Sequence, residues 1–536
     1  MAAPAQPYTP APYRTQNWTL TKPAARGRHG IVVSQSREAA QAGAAILEQG
    51  GNAADAAVAA CFALAAVEPW NSGLGGIGFA VVLKAGESTA QVVDFGPVAP
   101  RRVDPAAYPL TGAMKKDLFT WPEVVGDVNI HGPLSFVTPS SVAGYAKLKE
   151  AFGSALPIAD ILAPAIALAR RGLPADWYTT LKIASSAAVL RLYAESARIY
   201  LPNGLPPVPP YQGSPGFMTL GELPQTLERL AEAGLGDFYR GEIAGRLVAD
   251  IAAAGGVVDA QDLADCTAEI RPAPTIDWRG THLVHTAGGL TAAPTLADVV
   301  AGMADAPLGG DQPTPAWYAQ LSRVMRQAYR DRLEGLGAAT VAKEAGDTCT
   351  THLTVVDGEG NLVAVTTTLL SSMGSRVVLP STGVLMNNGM MWFDPRPGSA
   401  NAIAPGARPL CNMCPVVVTP KDGSWPRLAV GSSGGRRILA SVYQTLAWQL
   451  DFGMDTETTA RHPRIDVSGP DSTSADMTLP QETLAALAEA GPTTLVEHSA
   501  LPINFACPNF IRVDREGAQG SSDAASPWSA AVAATR

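Results

Sequence analysis

Along the chain the period of the apolar positions changes several times, and each change marks an element. From Arg37 to Gln49 they recur at helical spacing and stop at Gly50 and Gly51, a pair suited to a helix C-terminus. From Ala53 to Val67 the chain is apolar nearly all round, with Asp55 its one charge, which predicts a buried helix ending near Glu68 and Pro69. At about fifteen residues this run is too short to cross a bilayer, so no membrane segment is expected. "NSGLGGIGFAVVLKAG" and "AQVVDFGPVAP" read as two strands of a hairpin, the second leaving through Gly96 and Pro97. From Pro139 to about Ala254 the pattern is mostly helical, clearest in "ALPIADILAPAIALARRG", with a Pro-rich break at "LPNGLPPVPP". Strands return at Thr281 to Val284 and throughout Leu353 to Val378, and "RLAVGSSGGRRILASVYQTLAWQLDFG" predicts strand, glycine turn and helix. The tail from about Glu516 is small and polar, a composition expected to be disordered, and no internal repeat is found.

Composition narrows the class. With 536 residues, 46% hydrophobic and only 16% charged, much of the chain must be buried, as in a compact enzyme-like globule. A net charge of -9 and the lack of a basic run interleaved with aromatics exclude a nucleic-acid backbone as partner. Six cysteines without dense spacing suggest reduced thiols. The Pro-rich N-terminus has no apolar core of a signal peptide, so a cytoplasmic location is the default expectation.

Four short patterns bear on chemistry. Gly73 to Gly78 fits G-x-G-x-x-G but precedes a strand, whereas a dinucleotide site needs the glycines after a strand and opening a helix. Cys411-x-x-Cys414 has no second ligand pair at zinc spacing, so it reads as two buried thiols; no metal and no cofactor is assigned. Gly431-x-Ser433-x-Gly435 lies between a strand and a helix, the context of an α/β-hydrolase nucleophile elbow, with Asp466 and His498 following in the required order. The rival reading has Gly434 and Gly435 present backbone N–H groups to an oxyanion at a helix start. Finally, "DGEGN" at Asp357 to Asn361 separates "HLTVV" from "LVAVT", which predicts an antiparallel hairpin. In that register Val356 faces Leu362, Leu353 faces Val365 and Thr350 faces Thr368, so two hydroxyls meet where the strands end. Cys349, Thr350, Thr351 and His352 crowd that end. They are either ordinary strand formers with half-buried neighbours or a nucleophile site, in which a chain cut before Thr350 frees an α-amine as its base. The reference pKa of such an amine, about 7.7 to 8.0, suits a general base.

At this point the residues resemble the γ-glutamyltransferase family of N-terminal-nucleophile hydrolases. "GGNAADAAVAACFALAAVEPWNSGLGGIGF" is similar to its N-terminal signature, "TTH" to its cleavage and nucleophile site, "VTTT" to its T-x-T strand, and "TGVLMNN" and "GSSGG" to its pocket loops. The resemblance implies an α+β fold, a four-layer αββα sandwich forming one globular unit. It implies one precursor that cuts itself between Cys349 and Thr350. After a flexible N-terminus over residues 1–30, this gives a large subunit over 31–349 and a small subunit over 350–536. These remain together as partners, with a dimer of heterodimers as the higher assembly. Thr350 is then the nucleophile, Thr368 its hydroxyl partner, and Gly434 and Gly435 the oxyanion donors.

The departures concern specificity. The family pattern D-F-R-E-x-A-P reads "DFGPVAP" here, with Gly96 in place of the Arg that clamps the glutamyl α-carboxylate. Leu370 replaces an Asn, Gly389 a Gln or Glu, Trp392 an acid, and Cys411 and Asn412 a Ser-Ser pair. The leading expectation is therefore an amide hydrolase or acylase with a different acyl group. A true γ-glutamyltransferase or glutathione hydrolase, a Ser433 α/β-hydrolase, and an uncut pseudoenzyme or binding protein are the alternatives.

Overall fold

The computed structural model describes residues 20–115, 121–335, 348–501 and 503–535. Two seven-stranded antiparallel sheets lie face to face. The first runs in the order Ala530–Ala533, Gly30–Ser34, Thr348–Asp357, Leu362–Ser371, Ile77–Leu83, Gln91–Phe95 and Glu269–Pro272. The second runs Ala25–Gly27, Gly517–Ser522, Cys507–Asp514, Arg427–Ser433, Val416–Pro420, His282–Thr286 and Thr275–Trp278.

Alternation along the strands creates three cores. Val32, Val82, Val355 and Val365 face outward from the first sheet onto helices Arg37–Glu48, Ala53–Val67, Ser141–Phe152 and Ile158–Arg171. Val418, Leu428, Val430 and Phe510 do the same in the second sheet, under helices Ala293–Gly302, Pro315–Gly335 and Ile438–Leu450. Ile31, Phe79, Val81, Val417, Ala429 and Ile511 meet between the sheets. The result is the expected four-layer αββα sandwich, built here from apolar alternation on both faces of both sheets.

The first two helices form where the pattern puts them. Gln49 caps the first, and Gly50 follows at φ +90°. The second starts with a capping box in which Asn52 accepts from the Ala54 and Asp55 N–H groups while Asp55 accepts from the Asn52 N–H. Every residue from Ala53 to Val67 is buried, as its all-round apolar face requires. No described helix is long and apolar enough to cross a membrane.

Both ends of the chain correct the sequence reading. The small, polar tail is ordered: Gly517–Ser522 and Ala530–Ala533 are strands, the latter pairing with Gly30–Ser34. Its small residues serve packing, because a Cβ on Gly520 would sit 2.7 Å from Val33 Cγ2 and 2.8 Å from Ile31 Cγ2 of the facing sheet. Likewise the first thirty residues include an ordered edge strand, Ala25–Gly27, paired to Gly517–Ser522, while residues 1–19 lie outside the described part. Thr275–Trp278 adds a strand to the one expected at Thr281 to Val284, which runs His282–Thr286.

Candidate active site

The Thr348–Asp357 and Leu362–Ser371 strands pair in the predicted register, Val356 opposite Leu362 and Leu353 opposite Val365, as far as Thr351 opposite Thr367. There the register shifts by one residue: Thr368 and Leu369 form a bulge opposite Thr350, between the pairs Cys349–Leu370 and Thr351–Thr367. A bulge re-aims a side chain at a strand end, and here it brings Thr350 Oγ1 within 3.2 Å of Thr368 Oγ1. Both residues are buried, Thr350 with 6% of its surface exposed. Leu370 bends the chain back at φ +87°, so its N–H donates to Thr368 Oγ1 over 2.8 Å. A left-handed leucine is strained, and this one fixes the hydroxyl that faces Thr350. The Cys349 side chain lies outside the described part; its backbone is in the strand.

Parity assigns the remaining polar residues to two faces. His352 points between the sheets, where its Nδ1 lies 2.9 Å from Thr366 Oγ1 and its ring covers Gly431, whose hypothetical Cβ would fall 2.2 Å from His352 Cε1. Burial presses the His352 pKa to about 3, so the ring is neutral and packs the two sheets. Thr351 points the other way, donating to Glu68 Oε2 over 2.7 Å and accepting from Ser72 Oγ over 3.1 Å. Glu68 Oε1 accepts from Asn71 Nδ2 over 2.7 Å, and burial pushes the Glu68 pKa up to about 7 against the pull of Thr351, Lys182 and Asn71. This anchoring group was missed in the sequence, although "VEPWNS" directly precedes the glycine run and was the available signal.

The glycine run serves close packing. A Cβ at Gly76 would lie 2.7 Å from Thr368 O and one at Gly78 2.3 Å from Thr366 O, so the segment lets the Ile77–Leu83 strand press on the T-x-T strand. Gly434, at φ +139°, and Gly435, at φ +58°, end the Arg427–Ser433 strand and open the turn Gly435–Arg437, which packs on the Thr348–Asp357 strand. A Cβ on Gly434 would fall 2.8 Å from Ala506 Cβ. The elbow reading of Ser433 is overturned. Its strand belongs to an antiparallel sheet, Asp466 accepts from Ser468, and His498 is committed elsewhere. The Nδ1 of that ring accepts from Asn504 N–H over 3.3 Å, and its Nε2 lies 3.5 Å from Asp523.

The altered positions gather around the space between the sheets. Leu370, Trp392 and Cys411 share one apolar cluster with Ile77, Phe79 and Met390. Gly389 has no room for a side chain, since a Cβ would lie 2.4 Å from Val137 Cγ2. Cys411 and Cys414 are buried free thiols, and burial raises Cys411 to about 11. Asn412 Oδ1 accepts from Arg332 Nη2 over 3.3 Å. Gly96 lies against Phe79 and Arg408.

The family model described as gamma-glutamyltranspeptidase matches residues 39–345 and 337–533. The acylase ACY 1 proenzyme of Pseudomonas sp. (strain V22) is 30% identical over 493 residues, covering 85% of this chain and 86% of its own. The glutathione hydrolase proenzyme of Escherichia coli (strain K12) is 30% identical over 514 residues, covering 86% and 85%. In structure, the chain is similar to the cephalosporin acylase from Bacillus halodurans, with a TM-score of 0.81, 23% identity and 98% of both chains covered, a likeness of fold. With this match along most of its length and the fold of N-terminal-nucleophile amide hydrolases, the chain belongs to the gamma-glutamyltranspeptidase family.

Proposed function

We propose that the chain cuts itself between Cys349 and Thr350 and that the freed Thr350 then cleaves amide bonds through an acyl-enzyme, as an acylase of altered acyl specificity. The observation that carries this reading is the contact of 3.2 Å between Thr350 Oγ1 and Thr368 Oγ1 at a bulge, with Thr368 held by the Leu370 N–H. In the precursor, Thr350 Oγ attacks the Cys349 carbonyl carbon. The C–N bond breaks, the nitrogen takes up the proton that the hydroxyl gives up and becomes a free α-amine, and water hydrolyses the resulting ester to a Cys349 carboxylate. The products are a large subunit, 31–349 with its N-terminal extension, and a small subunit, 350–536.

In the mature enzyme the α-amine takes the Thr350 hydroxyl proton as the oxygen attacks the substrate carbonyl, then passes it to the leaving amine. Gly434 and Gly435 N–H groups stabilise the oxyanion. Water or an acceptor amine releases the acyl group. The proenzyme names of the relatives support the cut, and their split between acylase and glutathione hydrolase leaves specificity to the pocket. That pocket has glycine, leucine and tryptophan at positions 96, 370 and 392, which supports an acyl group other than γ-glutamyl.

An acyl-anilide assay on purified protein tests the assignment of the nucleophile. Thr350→Ala is expected to abolish turnover, while Ser433→Ala retains turnover within about tenfold of wild type, because losing a whole oxyanion donor costs about a hundredfold or more. Full activity in Thr350→Ala with none in Ser433→Ala overturns the reading.

A further inference from the structure

The Pro-rich break at "LPNGLPPVPP" takes no part in the chemistry at Thr350, yet it gathers the exposed apolar surface of the chain. Among the described residues the four most exposed large apolar side chains are Tyr211 at 98%, Val208 at 77%, Leu192 at 65% and Leu205 at 63%. Three of them come from this one segment. Leu192 adjoins it, because its neighbour Arg191 donates from Nη2 to Gly204 O over 3.0 Å. A concentrated apolar patch of this kind marks an interaction surface.

Local chemistry fixes the shape of the segment. Pro206, Pro207, Pro209 and Pro210 have locked φ angles, and Leu205, Pro206, Val208 and Pro209 each precede a proline, which drives them into the extended polyproline region. Leu205 to Pro210 accordingly carries neither helix nor strand. With three residues per turn, Leu205, Val208 and Tyr211 line up along one edge of a ridge. Burial follows that period: these three are exposed, whereas Pro206, Pro207 and Pro209 are half-buried. The Thr180 hydroxyl, 2.5 Å from Pro207 O, ties the ridge to the helix Trp177–Leu190. No residue from Leu201 to Phe217 is charged. The ridge is therefore stiff and uncharged, so docking it costs little conformational entropy.

At the start of the same helix lies a hollow of about 290 Å³ walled by Val67, Pro174, Phe217 and Trp528. Trp177 adjoins it, with its ring centroid 6.0 Å from that of Trp528 and 46% of its surface exposed, and Phe217 is 52% exposed. At the rim Arg171 Nη2 donates to Glu38 over 2.8 Å, and the guanidinium stacks 4.8 Å over the Phe217 ring, so these two charges neutralise each other. Aromatic walls are what a polyproline ridge docks on. Ridge and hollow are neighbours, since the ridge leads along the chain into Phe217 and rests on the first turn of the helix that Trp177 opens. Two complementary features side by side on one surface are what a two-fold axis requires.

We propose that this face is a docking surface for a second copy of the chain. Tyr211 and Val208 of one copy enter the hollow of the other, the prolines lie on Trp177, and the two-fold axis repeats the contact in reverse. The association needs neither the cut before Thr350 nor turnover.

Sedimentation equilibrium over a micromolar concentration series tests this on wild type, Val208→Asp, Tyr211→Ser and Phe217→Gln, all altered at exposed positions. Wild type is expected at twice the mass of one chain, whether that chain is cut or whole. Each variant should raise the dimer Kd at least about tenfold, since the two-fold axis counts every substitution twice. Mixing Val208→Asp with Phe217→Gln should restore part of the association that neither shows alone, because one intact ridge then meets one intact hollow. A synthetic peptide of residues 203–213 should compete with the dimer and shift the tryptophan fluorescence of wild type but not of Phe217→Gln. Wild type at the mass of one chain throughout the series overturns the proposal and leaves the ridge to a different protein. A dimer that all three variants leave intact, or a mixture that regains nothing, overturns it as well.

Discussion

Glu68 sits on the helix side of the Thr348–Asp357 strand and holds Thr351, the residue next to Thr350, through a hydrogen bond of 2.7 Å. Because burial disfavours its anion, the folded chain keeps the Glu68 proton to about pH 7, against 4.5 when unfolded. The stability this contributes is present in full below the unfolded value and lost as pH rises through about 7. Glu68→Gln keeps the size and one acceptor oxygen but cannot ionise. Its melting temperature should therefore fall less than that of wild type between about pH 5 and 8, and equal slopes would remove Glu68 as the cause. His352 behaves differently. Held neutral down to about pH 3 by burial, it cannot supply a titration near neutrality.

At the scale of elements, two features set the site: a hairpin with a five-residue turn that fixes register, and a bulge at its open end that turns Thr350 toward Thr368. The hairpin was legible in the sequence because turn chemistry and alternation are local signals. The bulge was not, since nothing in "VTTTLLS" distinguishes an extra residue from a regular one. The C-terminal strands were misread for a related reason. Glycine, alanine and serine resemble a disordered composition, yet here they are small because two sheets approach closely. Gly520→Val tests this directly: its branched side chain would collide with Val33 and Ile31, and denaturant titration should show a loss of about 1 to 3 kcal/mol. A variant as stable as wild type would mean that the tail does not pack as described.

For the whole molecule, four layers place the Thr350 and Thr368 hydroxyls on the side between the sheets and Glu68 on the side of the helices. The family and fold were legible because long motifs occur in order along most of the chain, and so was the hairpin that brings Thr350 near Thr368. Contacts between distant segments were not: Glu68 lies 283 residues before Thr351, which it holds, and Arg408 lies 314 residues after Asp94, with which it pairs. Such pairs are created by the stacking of layers and leave no spacing to read. The central claim, that the chain remakes itself around an N-terminal Thr350, is tested most directly by the intact mass of purified protein under denaturing conditions. A fragment ending at Cys349 and a fragment of 187 residues beginning at Thr350 are predicted for wild type, with Thr350→Ala remaining whole. A wild-type chain that stays at full length and still hydrolyses amides would contradict the account.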